Sequence, residues 1–120
     1  MNKTNNYKQL IVWQKSIDLT EFVYRLTSKF PKEEMYGLTS QIRRCSVSVP
    51  SNIAEGQARS SIPQFKHFLS IAKGSLAELE TQFILSERLK YISKEDFELF
   101  HTHVNEVGKL LNGLINSLKD

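Results

Sequence analysis

Phe97, Phe100, Val104, Val107, Leu111, Leu114 and Leu118 follow one another in alternating steps of three and four residues, without a break. An α-helix with one side against a core meets that spacing, because 3.6 residues per turn returns such positions to a single face. A seam this long cannot bury itself, so it calls for partner helices lying nearly parallel to it. Three other segments offer partners with the same period. The first has Phe22, Val23, Leu26 and Phe30, with either Ile17 or Leu19 above them. The second has Leu38, Ile42, Cys45, Val49 and Ile53, and the third Phe65, Phe68, Leu69, Ala72, Leu76, Leu79 and Phe83. No β-type alternation, internal repeat or low-complexity linker interrupts them.

Helix-breaking and capping residues set the boundaries. Pro31 stops the first helix, since proline lacks the amide and restricts the residue before it. Gly56 and the 59–63 segment turn the chain. Ser61 and Ser93 are N-cap candidates for the third and fourth helices, with Pro63 in the third helix's first turn and Lys94, Glu95 and Asp96 opening the fourth. Pro50 falls inside the second helix, where it removes the bond to the Ser46 carbonyl and is expected to kink the axis, with Ser46 and Ser48 as candidates to satisfy the freed carbonyls. The expected helices span roughly 12–29, 35–58, 62–90 and 94–118. A chain of 120 residues has material for one such core, so the fold class is all-α, an up-and-down four-helix bundle in a single domain over 1–120.

The second helix carries more than one face. Beside its apolar stripe, Gln41, Arg44, Ser48, Asn52 and Glu55 make a polar stripe about a third of a turn away. Ser40, Val47, Ser51, Ala54 and Ala58 make a face of mainly small residues, which another backbone can approach closely. Gly74, with Ser75 and Ala77, suggests a similar close contact on the third helix. The segments YGLTSQIRR at 36–44, SVPSNIAEG at 48–56 and FLSIAKGSLAELETQ at 68–82 are long and unusual. Through them, and over a stretch from about Leu10 to Leu118, the chain resembles the bacterial four-helix-bundle proteins related to the 23S ribosomal RNA intervening-sequence proteins. That resemblance implies a homopentamer. It also implies distant kinship with accessory proteins of diversity-generating retroelements, which act beside a reverse transcriptase on nucleic acid. No catalytic residue is carried over from it.

Chemical sites fail one by one. Glu98 and His101 match half of a di-iron bundle pattern whose second Glu-x-x-His is absent from the sequence, so no metal is expected. His101 and His103 lie about 200° apart on a helix and cannot chelate one ion together. The single Cys45 sits on an apolar stripe and reads as a packed thiol, which also suits a reducing compartment. No glycine-rich phosphate loop or serine elbow is present. Trp13 and the phenylalanines follow the helical period and read as core. The expectation is no catalytic residue, no cofactor and no enzymatic activity. The first eight residues lack an apolar run, and no stretch approaches the ~20 apolar residues of a membrane span. A cytoplasmic protein without membrane contact is therefore expected.

Charge is uneven, with +6 across Met1–Ala77 and −3 across Glu78–Asp120. Lys15, Arg25, Arg43, Arg44, Arg59, Lys66 and Lys73 are accordingly candidate phosphate contacts. Gln41, Arg44, Asn52 and Glu55 are expected to face Ser75, Glu78 and Gln82 on the third helix. This is either a structural network with Arg44 paired to Glu55 or Glu78, fixing register or subunit contact, or a lined pore or groove. Function classes follow in order. The first is a non-catalytic oligomeric scaffold or adaptor, with a nucleoprotein or a nucleic-acid enzyme as the candidate partner. The second is direct, sequence-tolerant RNA or DNA binding through the basic first three helices. The last is a nuclease built on Glu55 and Glu78, which lacks a complete metal-binding set.

Overall fold

Each periodic segment folds into a helix. The computed structural model describes residues 6–119; Met1–Asn5, the start of the segment read above as too polar for a leader, and Asp120 lie outside the described residues. The helices are α1 (Ile11–Thr27), α2 (Leu38–Ala58), α3 (Ile62–Arg88) and α4 (Lys94–Ser117), and short 3-10 turns cover Tyr7–Gln9 and Lys32–Glu34. Among the described residues there is no strand. α1 packs on α2 and α4, and α3 packs on α2 and α4, so the chain runs up and down around four corners of a body 48 × 24 × 20 Å.

The four stripes meet in one core. α4 contributes Phe100, Val104, Val107 and Leu111; α3 contributes Leu69, Ala72, Leu76, Leu79 and Phe83; α2 contributes Ile42, Cys45, Val49 and Ile53. On α1 the inward residue is Leu19, with Ile17 only partly covered. Val12, Ser16, Leu19, Val23 and Leu26 keep the three-four rhythm, and Ser16 occupies a core position that hydropathy alone does not flag. Its hydroxyl is satisfied locally, donating to the Trp13 carbonyl at 2.8 Å. Phe83 and Phe100 stack with ring centroids 3.9 Å apart, and Phe30 meets Phe83 and Tyr91 edgewise or tilted.

Helix ends differ from expectation for identifiable reasons. Ser61 Oγ accepts from Gln64 N at 3.2 Å and Ser93 Oγ from Asp96 N at 3.0 Å, so both expected caps form. α2, however, begins at Leu38 rather than 35. The Glu34 carboxylate folds back to cap it, accepting from Leu38 N at 3.0 Å through one oxygen and from the Tyr91 hydroxyl at 2.9 Å through the other. Gly37 leaves room for this, since a Cβ there would lie 3.0 Å from Glu34 Oε1. α3 stops at Arg88, not 90. Tyr91 N reaches back to the Ser86 carbonyl at 2.9 Å and Lys90 N to that of Glu87 at 3.0 Å, with Lys90 in the left-handed region at φ 66°. That is a Schellman ending with lysine where glycine is usual.

Pro50 lies within α2 and is buried. It cannot donate to the Ser46 carbonyl, and the neighbouring helix offers only a shared substitute: Thr20 Oγ1 of α1 lies 2.8 Å from Ser16 O on its own helix and 3.1 Å from Ser46 O, so one proton is divided between two carbonyls. The serines expected to help do other things. Ser46 Oγ donates to the Arg43 carbonyl, and Ser48 Oγ pairs with Ser75 Oγ, each at 2.8 Å. At the far end of α2, Gly56 permits a close crossing with α3. A Cβ there would sit 2.8 Å from Phe68 Cβ and 3.2 Å from the Phe65 carbonyl oxygen.

Candidate functional site

The polar stripe of α2 does face α3, but only over its first half. Between the two helices runs an open groove of about 470 Å³ whose polar lining includes Gln41, Arg44, Ser48, Ser75, Glu78 and Gln82. Cys45 forms its floor, with Sγ donating to the Ser75 carbonyl at 3.1 Å. Burial, and after it the negative charge of Glu78, pushes the Cys45 thiol up to about 12. A thiol so protonated is a packing group and not a nucleophile.

Ser48 and Ser75 bridge the helices, and Asn52 supports the bridge by donating through Nδ2 to Ser48 O at 2.8 Å and Ser48 Oγ at 3.0 Å. Asn52 therefore acts on the groove through Ser48. Glu55 does not reach it, being held by Arg59 Nη2 at 2.7 Å. The expected buried pairing of Arg44 is not formed within the chain. Arg44 is exposed, and no ion pair to it is found among the described residues. Gln82 Oε1 is screened from solvent and finds no donor among the described residues, an unusual state for a buried acceptor.

Within one chain the small-residue features are covered unequally. Val47, Pro50, Ser51 and Ala54 share a cleft with Tyr7, Trp13, Ile17 and Thr20, so part of the small face of α2 is approached by the chain's own N-terminal turn. Gly74 is exposed, and a Cβ built on it would meet nothing within 4 Å. No close contact to it forms inside the single chain.

α3 carries a second seam that the first reading did not isolate. Ile71, Ser75, Glu78, Gln82, Leu85 and Leu89 repeat in steps of four and three, about 110° around the helix from the core seam. Its apolar members Ile71, Leu85 and Leu89 are 39%, 47% and 46% exposed. The signal was legible as spacing, but the core stripe on the same helix drew the apolar pattern to itself.

The seven basic candidates do not converge. Lys15 bridges α1 to α4 through Glu106 at 3.4 Å. Arg59 holds Glu55 and lies 4.8 Å over the Phe68 ring, with Lys66 also near the α2–α3 turn. Lys73 is exposed midway along α3, beside Glu80 and Lys109. Towards the opposite end stand Arg25, Arg43 and Arg44. Arg43 donates through Nε to Thr27 Oγ1 at 2.8 Å and through Nη2 to the Tyr24 carbonyl at 3.4 Å, lying 4.7 Å over the Tyr24 ring. Arg43 and Arg44 share a second cleft, of about 610 Å³, with Tyr24, Met35, Tyr36 and Val47. Tyr24, Met35 and the exposed ring of Tyr36 were not singled out from sequence, because exposure is a tertiary property that one-dimensional spacing does not carry.

Among the described residues no group of three His, Cys, Asp or Glu is placed to hold a metal ion, and no helix is long and apolar enough to cross a membrane. Glu98 and His101 part company in the structure: His101 Nε2 lies 3.1 Å from Glu80 on α3.

Known proteins resemble this architecture. The family model for the 23S rRNA-intervening sequence protein matches residues 8–113. Among solved structures, a protein of unknown function from the S23 ribosomal protein family of Bacteroides thetaiotaomicron VPI-5482, determined at 1.70 Å, aligns with a TM-score of 0.80 and 27% identity. The alignment covers 88% of this chain and 96% of that one. No curated protein matches the chain.

Proposed function

The chain belongs to the 23S rRNA-intervening sequence protein family, and from that premise we propose that it is a non-catalytic oligomeric scaffold or adaptor, built as a ring of five copies and working in the cytoplasm with a nucleoprotein or a nucleic-acid enzyme. The observation that supports assembly is the second seam of α3. A helix in a monomeric bundle needs one apolar face, and a further three-four repeat with exposed Ile71, Leu85 and Leu89 suits packing against another helix. The seam borders a groove in which Arg44 and Glu78 are both available to a partner and Gln82 Oε1 awaits a donor. One copy thus offers groups of both signs to the next. The five-fold number follows from the family resemblance.

Light scattering after size exclusion tests this reading. The expected mass is near five times the 13.9 kDa of one chain. Leu85→Glu should lower it while helical content persists, since Leu85 is exposed and outside the core. A clean monomer at micromolar concentration refutes the proposal.

A second reading, direct and sequence-tolerant binding of RNA or DNA, is favoured by one specific observation. Arg43 and Arg44 share a cleft whose lining contains no carboxylate. Its test is a mobility-shift titration at low salt, where backbone-directed binding should be strong and should fall steeply as salt rises. Absence of any shift with either nucleic acid refutes it.

A further inference from the structure

The cleft beside the first turns of α2 is bridged to α1 by Arg43 alone among its two arginines, and most of its remaining lining is open. Its walls are the Tyr24 ring, Met35 and Tyr36, and its cationic edge is Arg43 and Arg44. Tyr36 is 97% exposed, so almost the whole of an aromatic ring stands in water next to two guanidinium groups. Arg43 is already oriented, anchored by Thr27 Oγ1 and the Tyr24 carbonyl and laid over the Tyr24 ring. Among the described residues Arg44 makes no such contact. Acids are close in sequence but do not line the cleft. Glu34 is turned into the cap of α2 and the Tyr91 hydroxyl, and exposed Glu33 is not among the lining residues.

We propose that this cleft binds single-stranded nucleic acid, one base stacking on the Tyr36 ring while adjacent phosphates meet Arg43 and Arg44. The proposal rests on the second reading above and assigns it a place. An exposed aromatic ring accepts the π-face of any base, and a guanidinium fork matches phosphate oxygens, so the pairing recognises an unpaired strand without reading its sequence. A duplex keeps its base faces stacked on one another and cannot use the ring. The volume, about 610 Å³, lies within the range of small-ligand sites, roughly 300–1,000 Å³.

The experiment is fluorescence anisotropy at low salt with the full chain. The probes are a labelled homopolymer of about ten nucleotides and a duplex of the same length, a size typical of single-strand sites. The expected result is tighter binding of the single strand. Tyr36→Ala should weaken it about 5- to 100-fold, and Tyr36→Phe, which keeps the ring, should stay within about twofold. Arg44→Gln should flatten the slope of log affinity against log salt by about 0.7, the value for one phosphate contact on a single strand. If the parent binds and Tyr36→Ala binds equally well, the nucleic-acid reading survives and the cleft assignment is overturned. If the parent does not bind at low salt, both are overturned. If Tyr36→Ala instead lowers the assembled mass in light scattering, the cleft holds a second copy and the assignment again fails.

Discussion

Gly56→Ala tests the close crossing of α2 and α3. The added methyl would begin 2.8 Å from Phe68 Cβ, 3.0 Å from Phe65 Cδ1 and 3.2 Å from Phe65 O. Carbon pairs rest at about 3.5–4.0 Å, so the shortest contact must open by roughly 0.7 Å. The Phe65 ring can rotate a little, but Phe68 Cβ and the Phe65 carbonyl are fixed to the α3 backbone. Relief therefore requires the first turns of α3 to move away from α2, loosening contacts around Ile53 and Leu69, both fully buried. Overpacking of this kind costs ~1–3 kcal/mol. Against it stands the helix preference of alanine over glycine, worth at most ~1 kcal/mol and reduced near a helix end. The net expectation is destabilisation by ~1–2 kcal/mol, a fall in Tm of about 3–10 °C for a chain of this length. Chemical denaturation followed by circular dichroism, at one fixed protein concentration, measures it. Gly113→Ala is the control, because a Cβ there meets nothing within 4 Å, and it should be neutral or stabilising by up to ~1 kcal/mol. A Gly56→Ala variant at least as stable as the parent refutes the reasoning.

Other perturbations have definite signs. The Leu38 amide, and then the Tyr91 hydroxyl, hold the Glu34 carboxyl below its usual 4.5, so its contribution is present above that value and is lost as pH falls through the lowered one. Melts of Glu34→Gln and parent should therefore differ at neutral pH and converge in acid. The same bond raises Tyr91 above 10.0, so the parent should also lose stability as pH climbs past that value, a loss that Tyr91→Phe should lack. Thr20→Val removes the hydroxyl shared between the Ser16 and Ser46 carbonyls and should cost ~0.5–1.5 kcal/mol in denaturant titrations, whereas Thr20→Ser should retain most of the stability. Lys90→Gly removes a left-handed lysine and should raise Tm by a few degrees, from relief of ~1 kcal/mol or more of backbone strain; an unchanged or lower Tm would show that this turn carries no strain.

The α4 seam and the serine caps were open to reading because each is a local pattern with a local cause. Spacing places Val104 and Leu111 inward whatever the neighbours are, and Ser93 needs only the amide three residues on. What escaped is what depends on partners far along the chain. Ser16 and Thr27 are core residues because their hydroxyls bond to their own helix, which hydropathy does not register. The stop at Arg88 lacks the glycine that usually announces it. At the groove, helical phase put Gln41, Arg44 and Ser48 opposite Ser75, Glu78 and Gln82, but phase does not say whether charges on facing helices touch. Arg44 proved to be exposed, and Glu55 had a closer cation in Arg59. Composition likewise made Lys15 and Arg59 equal to Arg44 as phosphate contacts, until geometry gave the first two carboxylate partners within the chain.

The donor that Thr20 lends to Ser46 also bears on how the chain is made. Cut at Pro50, α2 is two segments, 38–49 and 50–58, each at or below the ~12–15 residues that an isolated helix needs in water. Its continuity across the break therefore rests on packing against its neighbours, α1 among them, and not on its own ladder alone. Because synthesis proceeds from the N-terminus, Thr20 is made before Pro50, and the segment carrying the break emerges with the helix that supports it already at hand. A circular permutation that moved α1 behind α4 would keep every contact of the finished bundle and reverse that order, leaving the second helix to wait for its splint.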